Sequence, residues 1–472
     1  MQPSIYNCSS YRPFVIDLGI VSHIASLFPV FRDMPYPVLL DGSMHGSAGN
    51  RFSYITADPF LVVRSKGQSV SLEYPDHSEE ERANPWDVLQ TLVQRYTIGP
   101  VKGLPPFQGG FVGYWGYDLG RHLEHIPSYA DDDLQLPEMY LGLYDWVLAY
   151  DSDTSHLHLF STGIPEYSSI KAEERANEII SLLNNNASTV GVQNVPFNVS
   201  LQSNFTRESY ICAVQKAQEY LQAGDSYQVN LSQRFHGSFT GDPWALYARL
   251  RNINPSPFGA YLGFPDVTIL SASPEEFINL EDSKVRVRPI KGTRPIGSNR
   301  DETDRYCSEL IESAKERAEN LMIVDLIRND LGKVCKIGSV SVPSLFTVEK
   351  HPTVLHLVST IDGELPDTLN AVDLLKSCFP GGSVTGAPKL RSMQIIEALE
   401  PVRRGVYCGA IGYIGFNGDM GTSIAIRTMV LVKNTVYVHL GGAIVVDSDP
   451  TSEYLETLQK GAGIRDTLSY TC

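Results

Sequence analysis

Lys291 stands at the end of SKVRVRPIKGT, where Val285, Val287 and Pro289 share its alternation while Arg286 and Arg288 point the other way. As a strand residue it therefore extends an apolar face. A lysine amine held out of water gives up its proton more readily, and the neutral amine is a usable nucleophile or base. The plainer alternative is a strand-end lysine turned to solvent by Gly292 and Thr293, which the pattern alone favours because lysine is rarely buried. Arg427 lies within SIAIRTMVLV, with apolar neighbours on both faces. A guanidinium buried there must find an anion, either an internal Asp or Glu or the carboxylate of a substrate.

Two segments carry carboxylates three residues apart, Glu316 and Glu319 in AKERAEN and Glu453 and Glu456 in SEYLETLQK. On helices each pair projects from one face. If the faces converge, they form an all-oxygen site of the kind Mg²⁺ takes, with one or two carboxylates and room for water and substrate. Solvated helix surface is the usual explanation of such pairs. The loop FPGGSVTGAPKLRSM places Gly381, Gly382 and Gly386 ahead of a helix start, where free N–H groups can hold an oxyanion. It is not a P-loop, because Ala387 and Pro388 stand where Lys and Ser or Thr are needed. Gly441 and Gly442, after TVYVHL, offer a second close approach of backbone to a ligand. His356, in HPTVLHLVSTI, reads either as a core histidine or as a donor or acceptor to substrate. No G-x-S-x-G elbow, H-E-x-x-H or Rossmann glycine fingerprint is present, which weakens hydrolase, zinc-protease and dinucleotide readings.

The elements that must position these residues are short alternating strands, such as 283–290, 422–432 and 435–440, separated by helical patterns. The spacing predicts a helix over 308–331 with Ile311, Ala314, Ala318 and Leu321 inward and a left-handed cap at Gly332. A second is predicted from Pro388, with Leu390, Met393, Ile396 and Leu399 inward, and a third from Pro450 behind an Asp449 cap. Hairpin strands with inserted helices predict an α+β architecture of antiparallel sheets flanked by helices, not a βαβ repeat. The polar stretch Asn184 to Phe205 reads as a linker, dividing the chain into 1–195 and 196–472.

The 472 residues carry 38 Lys plus Arg against 54 Asp plus Glu, a net charge of −16. That balance excludes a basic nucleic-acid binder as the default. Residues 1–195 hold 11 basic and 23 acidic side chains, net −12; the remaining 27 and 31 leave −4, so the second part is the better anion receptor. No run approaches the ~20 apolar residues of a membrane helix, and the amino terminus does not read as a secretion signal. Seven scattered cysteines without a C-x-x-C pair fit reduced thiols in a cytoplasm.

PIKGTRP, AKERAENLMIVDLIRNDLG, LHLVST, FPGGSVTGAPKLRSM, IAIRT, GGAIVVDS and EYLETLQK occur in one order, and together they closely resemble the chorismate-utilising enzymes over about residues 205–465. FQGGFVGYWGYDLGRHLE (107–124) and LGLYDWVLAYD (141–151) are similar to the amino-terminal part of the same family. The resemblance implies an anthranilate synthase-like fold: two packed, mainly antiparallel sheets flanked by helices, in two intertwined halves. Lysine in PIKGT resembles the branch that aminates chorismate at C4 on the way to p-aminobenzoate and folate; the anthranilate-forming branch, which aminates at C2, has alanine there. In the isochorismate and salicylate branch the water-activating lysine falls at Gln228, so hydration of chorismate is disfavoured.

The resemblance further implies site roles. Lys291 would be the nucleophile and Glu275, in SPEEF, the general acid. Mg²⁺ would sit between Glu319 and Glu456, with Glu316 and Glu453 nearby through water. Arg427, Tyr407, Gly441, Gly442 and Ala443 would take one carboxylate, with Gly292, Thr293, Thr385, His356, Lys460 and Gln228 lining the rest. Ammonia would come from a class I glutamine amidotransferase subunit in a heterodimer. Leu40, Arg51, Phe52, Pro257 and Phe258 match the family's tryptophan pocket more weakly, since LLDGS (39–43) stands in place of the Leu-Leu-Glu-Ser motif of feedback-regulated members. The rivals are the C2-aminating activity and a non-catalytic regulatory subunit binding an aromatic amino acid.

Overall fold

The computed structural model describes residues 11–42, 50–185, 197–350 and 354–470. Strands that are apolar on both faces dictate its centre. In Met139–Tyr144, Met139, Leu141 and Leu143 face one way and Tyr140 and Tyr144 the other; in Trp146–Asp151, Trp146, Leu148 and Tyr150 alternate with Val147 and Ala149. Such strands need cover on both sides, and stacking two sheets with helices outside supplies it.

Among the described residues each sheet has 12 strands. The first runs from the edge strand Phe14–Ile20 through His156–Ser161, Trp146–Asp151 and the central hairpins to Thr428–Val432, Thr435–Ile444 and Gln228–Ser238. The second runs from Ile290–Pro295 through Val354–Glu364, Lys284–Val287, Glu276–Glu281, Met420–Ile424 and Ala410–Gly415 to Ser78–Arg82. Their facing sides share one apolar cluster, including Tyr54, Phe160 and Ile269 from the first sheet and Val112, Tyr114 and Tyr140 from the second. Helices Ser169–Asn185, Pro243–Ile253 and Ala462–Leu468 cover the outer face of the first sheet. Pro85–Arg95, Ala314–Gly332 and Ala371–Cys378 cover that of the second. The α+β expectation holds, and each sheet takes strands from both sides of residue 195. The middle of the expected linker, 186–196, the Ser43 of LLDGS, Cys8 and Cys472 lie outside the described residues.

Several local expectations need correction. Residues 300–332 form two helices, Arg300–Glu312 and Ala314–Gly332, because Ser313 breaks the run and caps the second by accepting from the Glu316 N–H. Ile311, Ala314, Ala318 and Leu321 are all exposed. The inward face instead carries Glu316, Glu319, Asn320 and Ile323, so apolar spacing selected the wrong side of a helix whose buried side is polar. Gly332 is the last helical residue and has no positive φ, so the left-handed cap is absent. Helix Lys389–Leu399 buries Met393 and Ile396 but leaves Leu390 exposed. Segment 422–432 is not one strand: Met420–Ile424 belongs to the second sheet and Thr428–Val432 to the first, with Arg427 on the crossover. Among the described residues no helix is long and apolar enough to cross a membrane, and Cys212, Cys307, Cys335, Cys378 and Cys408 are free thiols.

Candidate active site

The site lies where the edge of the second sheet meets the end of the first. Strands Lys284–Val287 and Ile290–Pro295 keep one register against Val354–Glu364 up to Ile290, opposite Val358; Thr293 then faces His356. Lys291 and Gly292 thus oppose a single residue, a bulge that re-aims the lysine. Gly292 has φ +82°, and a Cβ there would lie 2.6 Å from Glu316 Oε2, so this position admits only glycine without a shift.

Lys291 Nζ donates to the Ser383 carbonyl at 3.1 Å. Burial lowers its pKa, opposed by the charges of Glu275 and Glu319. Glu275 is only 6% exposed. Burial raises its pKa, while the Ser383 side chain and the Lys291 charge pull it back. Lys291 is thus half-buried, not turned out to solvent, and its amine sits beside a carboxyl pushed toward its protonated form.

Arg427 adopts φ +52° on the crossover. Its Nη1 donates to the Lys460 carbonyl at 2.6 Å, and no described carboxylate lies within ion-pair distance. Burial lowers its pKa, and the neighbouring Tyr407 and Glu456 push it back up. A half-buried guanidinium lacking a carboxylate partner has the charge and the free donors to accept one. Tyr407 is stacked on His439 with ring centroids 5.0 Å apart, and a Cβ on Gly441 would meet its hydroxyl at 2.8 Å. Above Gly442, the same construction finds Glu453 Oε2 at 3.2 Å and Glu456 Oε1 at 3.7 Å. Lys460 Nζ donates to Glu456 at 2.7 Å and to the Gly441 carbonyl at 3.1 Å.

The four helix carboxylates converge electrostatically on this place. Glu319 feels Lys291, Glu316 and Glu456, and burial raises its pKa. Burial also raises that of Glu453, helped by the like charge of Glu456. Glu456 goes the other way: burial pushes it up, but Lys460 outweighs that and lowers it. Glu316 Oε1 pairs with Arg294 at 2.8 Å, whereas Glu316 Oε2 and Glu453 Oε2 are buried with no hydrogen-bond partner. Buried carboxylate oxygens without donors, facing like charges, fit a divalent cation.

Thr293 and His356 share a hydrogen bond of 3.0 Å. Gln228 is fully buried with neither amide atom hydrogen-bonded; Asn230, two residues on and opposite Ala443, likewise leaves its Oδ1 without a partner. Thr385 is buried, and its hydroxyl donates to the Gly381 carbonyl at 2.8 Å. Gly386 and Ala387 pair with Val229 and Gln228 as a short strand instead of an open cradle.

Three participants escaped sequence reasoning. Ser383 holds both Lys291 and Glu275, and its place in the glycine loop was the available signal. Arg404 donates to Glu400 at 2.7 and 2.9 Å and lies over Tyr407, fixing the back wall. Arg294 occupies one Glu316 oxygen. Arg294 stands in the PIKGTRP motif, which was the available signal, whereas Arg404 sits in no pattern that distinguishes it from surface charge.

A second cavity, of about 270 Å³, opens between the sheets and is lined by Leu40, Arg51, Phe52, Tyr54, Phe258 and Glu276, among others. Pro257 is buried but does not line it. Arg51 is held by Asp151 through two contacts of 2.6 Å. Glu276 opens the strand Glu276–Glu281 and lines this cavity, whereas Glu275, the residue just ahead of that strand, lies on the active-site side with Lys291.

Residues 46–466 match the family described as chorismate binding enzyme. The chain is 42% identical to aminodeoxychorismate synthase component 1 of Escherichia coli K12, over 92% of this chain and 93% of that one. It is 37% identical to anthranilate synthase component 1 of Acetivibrio thermocellus, over 93% and 91%. Among solved structures, anthranilate synthase component I from Streptococcus pneumoniae TIGR4 superposes with a TM-score of 0.80 at 31% identity, covering 90% of this chain and 94% of that one.

Proposed function

The chain belongs to the chorismate-binding enzyme family, and from that premise we propose that it converts chorismate and ammonia to 4-amino-4-deoxychorismate, the precursor of p-aminobenzoate in folate synthesis. The observation that carries the C4 assignment is Lys291, a half-buried lysine whose pKa is lowered by desolvation and which lies beside Glu275.

The residue chemistry supports two successive displacements. The neutral Lys291 amine attacks C2 of chorismate; the ring double bonds shift and the C4 oxygen departs as water, protonated by Glu275. Ammonia then attacks C4, the double bonds shift back and the lysine leaves C2 as the free amine. The surplus ammonium proton returns to Glu275. The pyruvyl ether takes no part in either displacement and survives. Arg427, Tyr407 and the backbone at Gly441 to Ala443 bind one carboxylate; Gly292, Thr293, His356, Thr385, Lys460 and Gln228 line the remainder. The orphaned oxygens of Glu316 and Glu453 fit Mg²⁺ held by Glu319 and Glu456, which would bind the ring carboxylate and disperse charge developing through it.

Ammonia is the uncharged nucleophile this chemistry needs, and a class I glutamine amidotransferase subunit would deliver it. The inter-sheet cavity, with aromatic walls and the buried Glu276 carboxyl, suits an aromatic amino acid such as tryptophan.

The test is product identification after mixing the chain, chorismate, Mg²⁺ and excess ammonium salt at mildly alkaline pH. Aminodeoxychorismate, convertible to p-aminobenzoate by an added lyase, is expected. Fluorescent anthranilate would overturn the C4 assignment, and no turnover at any ammonia concentration would favour a regulatory subunit.

A further inference from the structure

At the far end of the first sheet, three potential metal ligands meet away from the active site. Asp17 lies on the edge strand Phe14–Ile20, and His156 and His158 lie two residues apart on the neighbouring strand, so both rings project from one face. Asp17 is directly opposite His158 across the ladder, and the register slips between Asp17 and Ile20, which faces His156. One donor atom from each residue lies within 4.8 Å of the others. Among the described residues no other trio of His, Cys, Asp or Glu gathers so closely.

The surrounding bonds prepare this group for a cation. Asp17 Oδ1 accepts from the Gly19 N–H at 2.8 Å, which fixes the carboxylate toward the histidines. His156 Nδ1 lies 3.0 and 3.1 Å from the two carboxylate oxygens. The two imidazoles are near-parallel, at 28°, with centroids 6.1 Å apart. His158 Nδ1 is shielded from solvent and has no hydrogen-bond partner, a deficit that a metal ion or a proton partner would remove. Asp151, opposite His156, is already occupied by Arg51 and Thr154 and does not compete.

Two imidazoles and one carboxylate on one face form a facial set that leaves positions open for water, and imidazole nitrogen selects first-row transition metals over Mg²⁺. Donors around such an ion sit about 2.0–2.2 Å from it, so the observed separations need only side-chain rotation to close. We propose that Asp17, His156 and His158 form a surface site for one divalent transition-metal ion of the Zn²⁺ class, which ties the edge strand Phe14–Ile20 to its neighbour. The site is independent of the chorismate chemistry.

The test uses the full chain, stripped with chelator and then saturated with Mg²⁺ so that the carboxylates of the active site are filled. Zn²⁺ and Co²⁺ are titrated by calorimetry and by visible absorption, with melting temperature as a second readout. One equivalent bound, nitrogen-type Co²⁺ bands and a Zn²⁺-dependent rise in melting temperature are expected. His158→Ala should weaken Zn²⁺ binding by about tenfold or more and abolish the thermal shift, while Glu319→Gln leaves both intact. Equal Zn²⁺ affinity in His158→Ala and parent, or no binding once Mg²⁺ is present, would overturn the proposal. Should His158→Ala fail to fold, histidine ring proton shifts on Zn²⁺ addition to the parent decide the matter: movement of two rings supports the site and movement of none refutes it.

Discussion

Lys291 and Glu275 are joined through one residue. The lysine Nζ donates to the Ser383 carbonyl at 3.1 Å, and the Ser383 side chain hydrogen-bonds the Glu275 carboxyl. Burial drives the two groups in opposite directions of charge, toward neutral amine and neutral acid. That is the pair of protonation states in which one displaces at carbon while the other releases a proton to the leaving oxygen. Lys291→Ala should therefore lose nearly all synthase activity while still binding chorismate, because Arg427 and the glycine backbone remain. Equilibrium binding and turnover measured on the same sample check this; unchanged turnover would remove Lys291 from the nucleophile role.

The same opposition fixes a pH dependence. Adduct formation measured without ammonia requires the deprotonated amine and the protonated acid, so the rate rises with pH as Lys291 loses its proton and falls as Glu275 loses its own. Lowering the first pKa and raising the second brings the two limbs toward each other and enlarges the reactive fraction near neutrality. Glu275→Gln should slow this step by about 10²–10⁴-fold and remove the falling limb. A variant profile that keeps the falling limb would assign it to another group.

Much of this site was legible in residue types before any coordinates. The strand alternation ahead of Lys291, the apolar frame of Arg427 and the paired glutamates each reported a real local environment. What periodicity could not report was the break in regularity on which the site depends. Lys291 sits on a bulge and Arg427 on a crossover between sheets at φ +52°, and both departures involve long-range pairing that no local pattern encodes. The helix Ala314–Gly332 misled for a related reason: its inward side carries Glu316, Glu319 and Asn320, so hydrophobicity pointed outward. Ser383 and Arg404 act through partners distant in sequence, Lys291 at 92 positions and Asn230 at 174.

The glutamate face also carries a metal prediction. Glu316 Oε2 and Glu453 Oε2 lack partners, and Glu319 and Glu456 raise each other's cost of ionisation unless a cation lies between them. Glu319→Gln or Glu456→Gln should raise the Mg²⁺ concentration needed for half-maximal turnover by about 10–100-fold. Calorimetric Mg²⁺ titration provides a readout apart from activity. Superimposable titrations of parent and variants would rule out these ligands.

Glu276 turns the inter-sheet cavity into a source of pH-dependent stability. Burial raises its pKa from 4.5 to about 7, although Arg288 and Arg286 pull the other way. A carboxyl whose folded pKa exceeds its unfolded one binds more protons when folded, so stability is greatest below 4.5 and falls as pH rises through about 7. The loss attributable to this one group is at most about 3 kcal/mol above neutrality. Glu276→Gln should then be neutral near pH 4 and stabilising at pH 8, with the difference developing between those values. Urea midpoints of parent and variant at several pH values measure it directly. A constant difference across the range would mean that Glu276 titrates alike in folded and unfolded chains, and that the cavity presents an ionised carboxylate to its ligand at every pH above the ordinary value of 4.5.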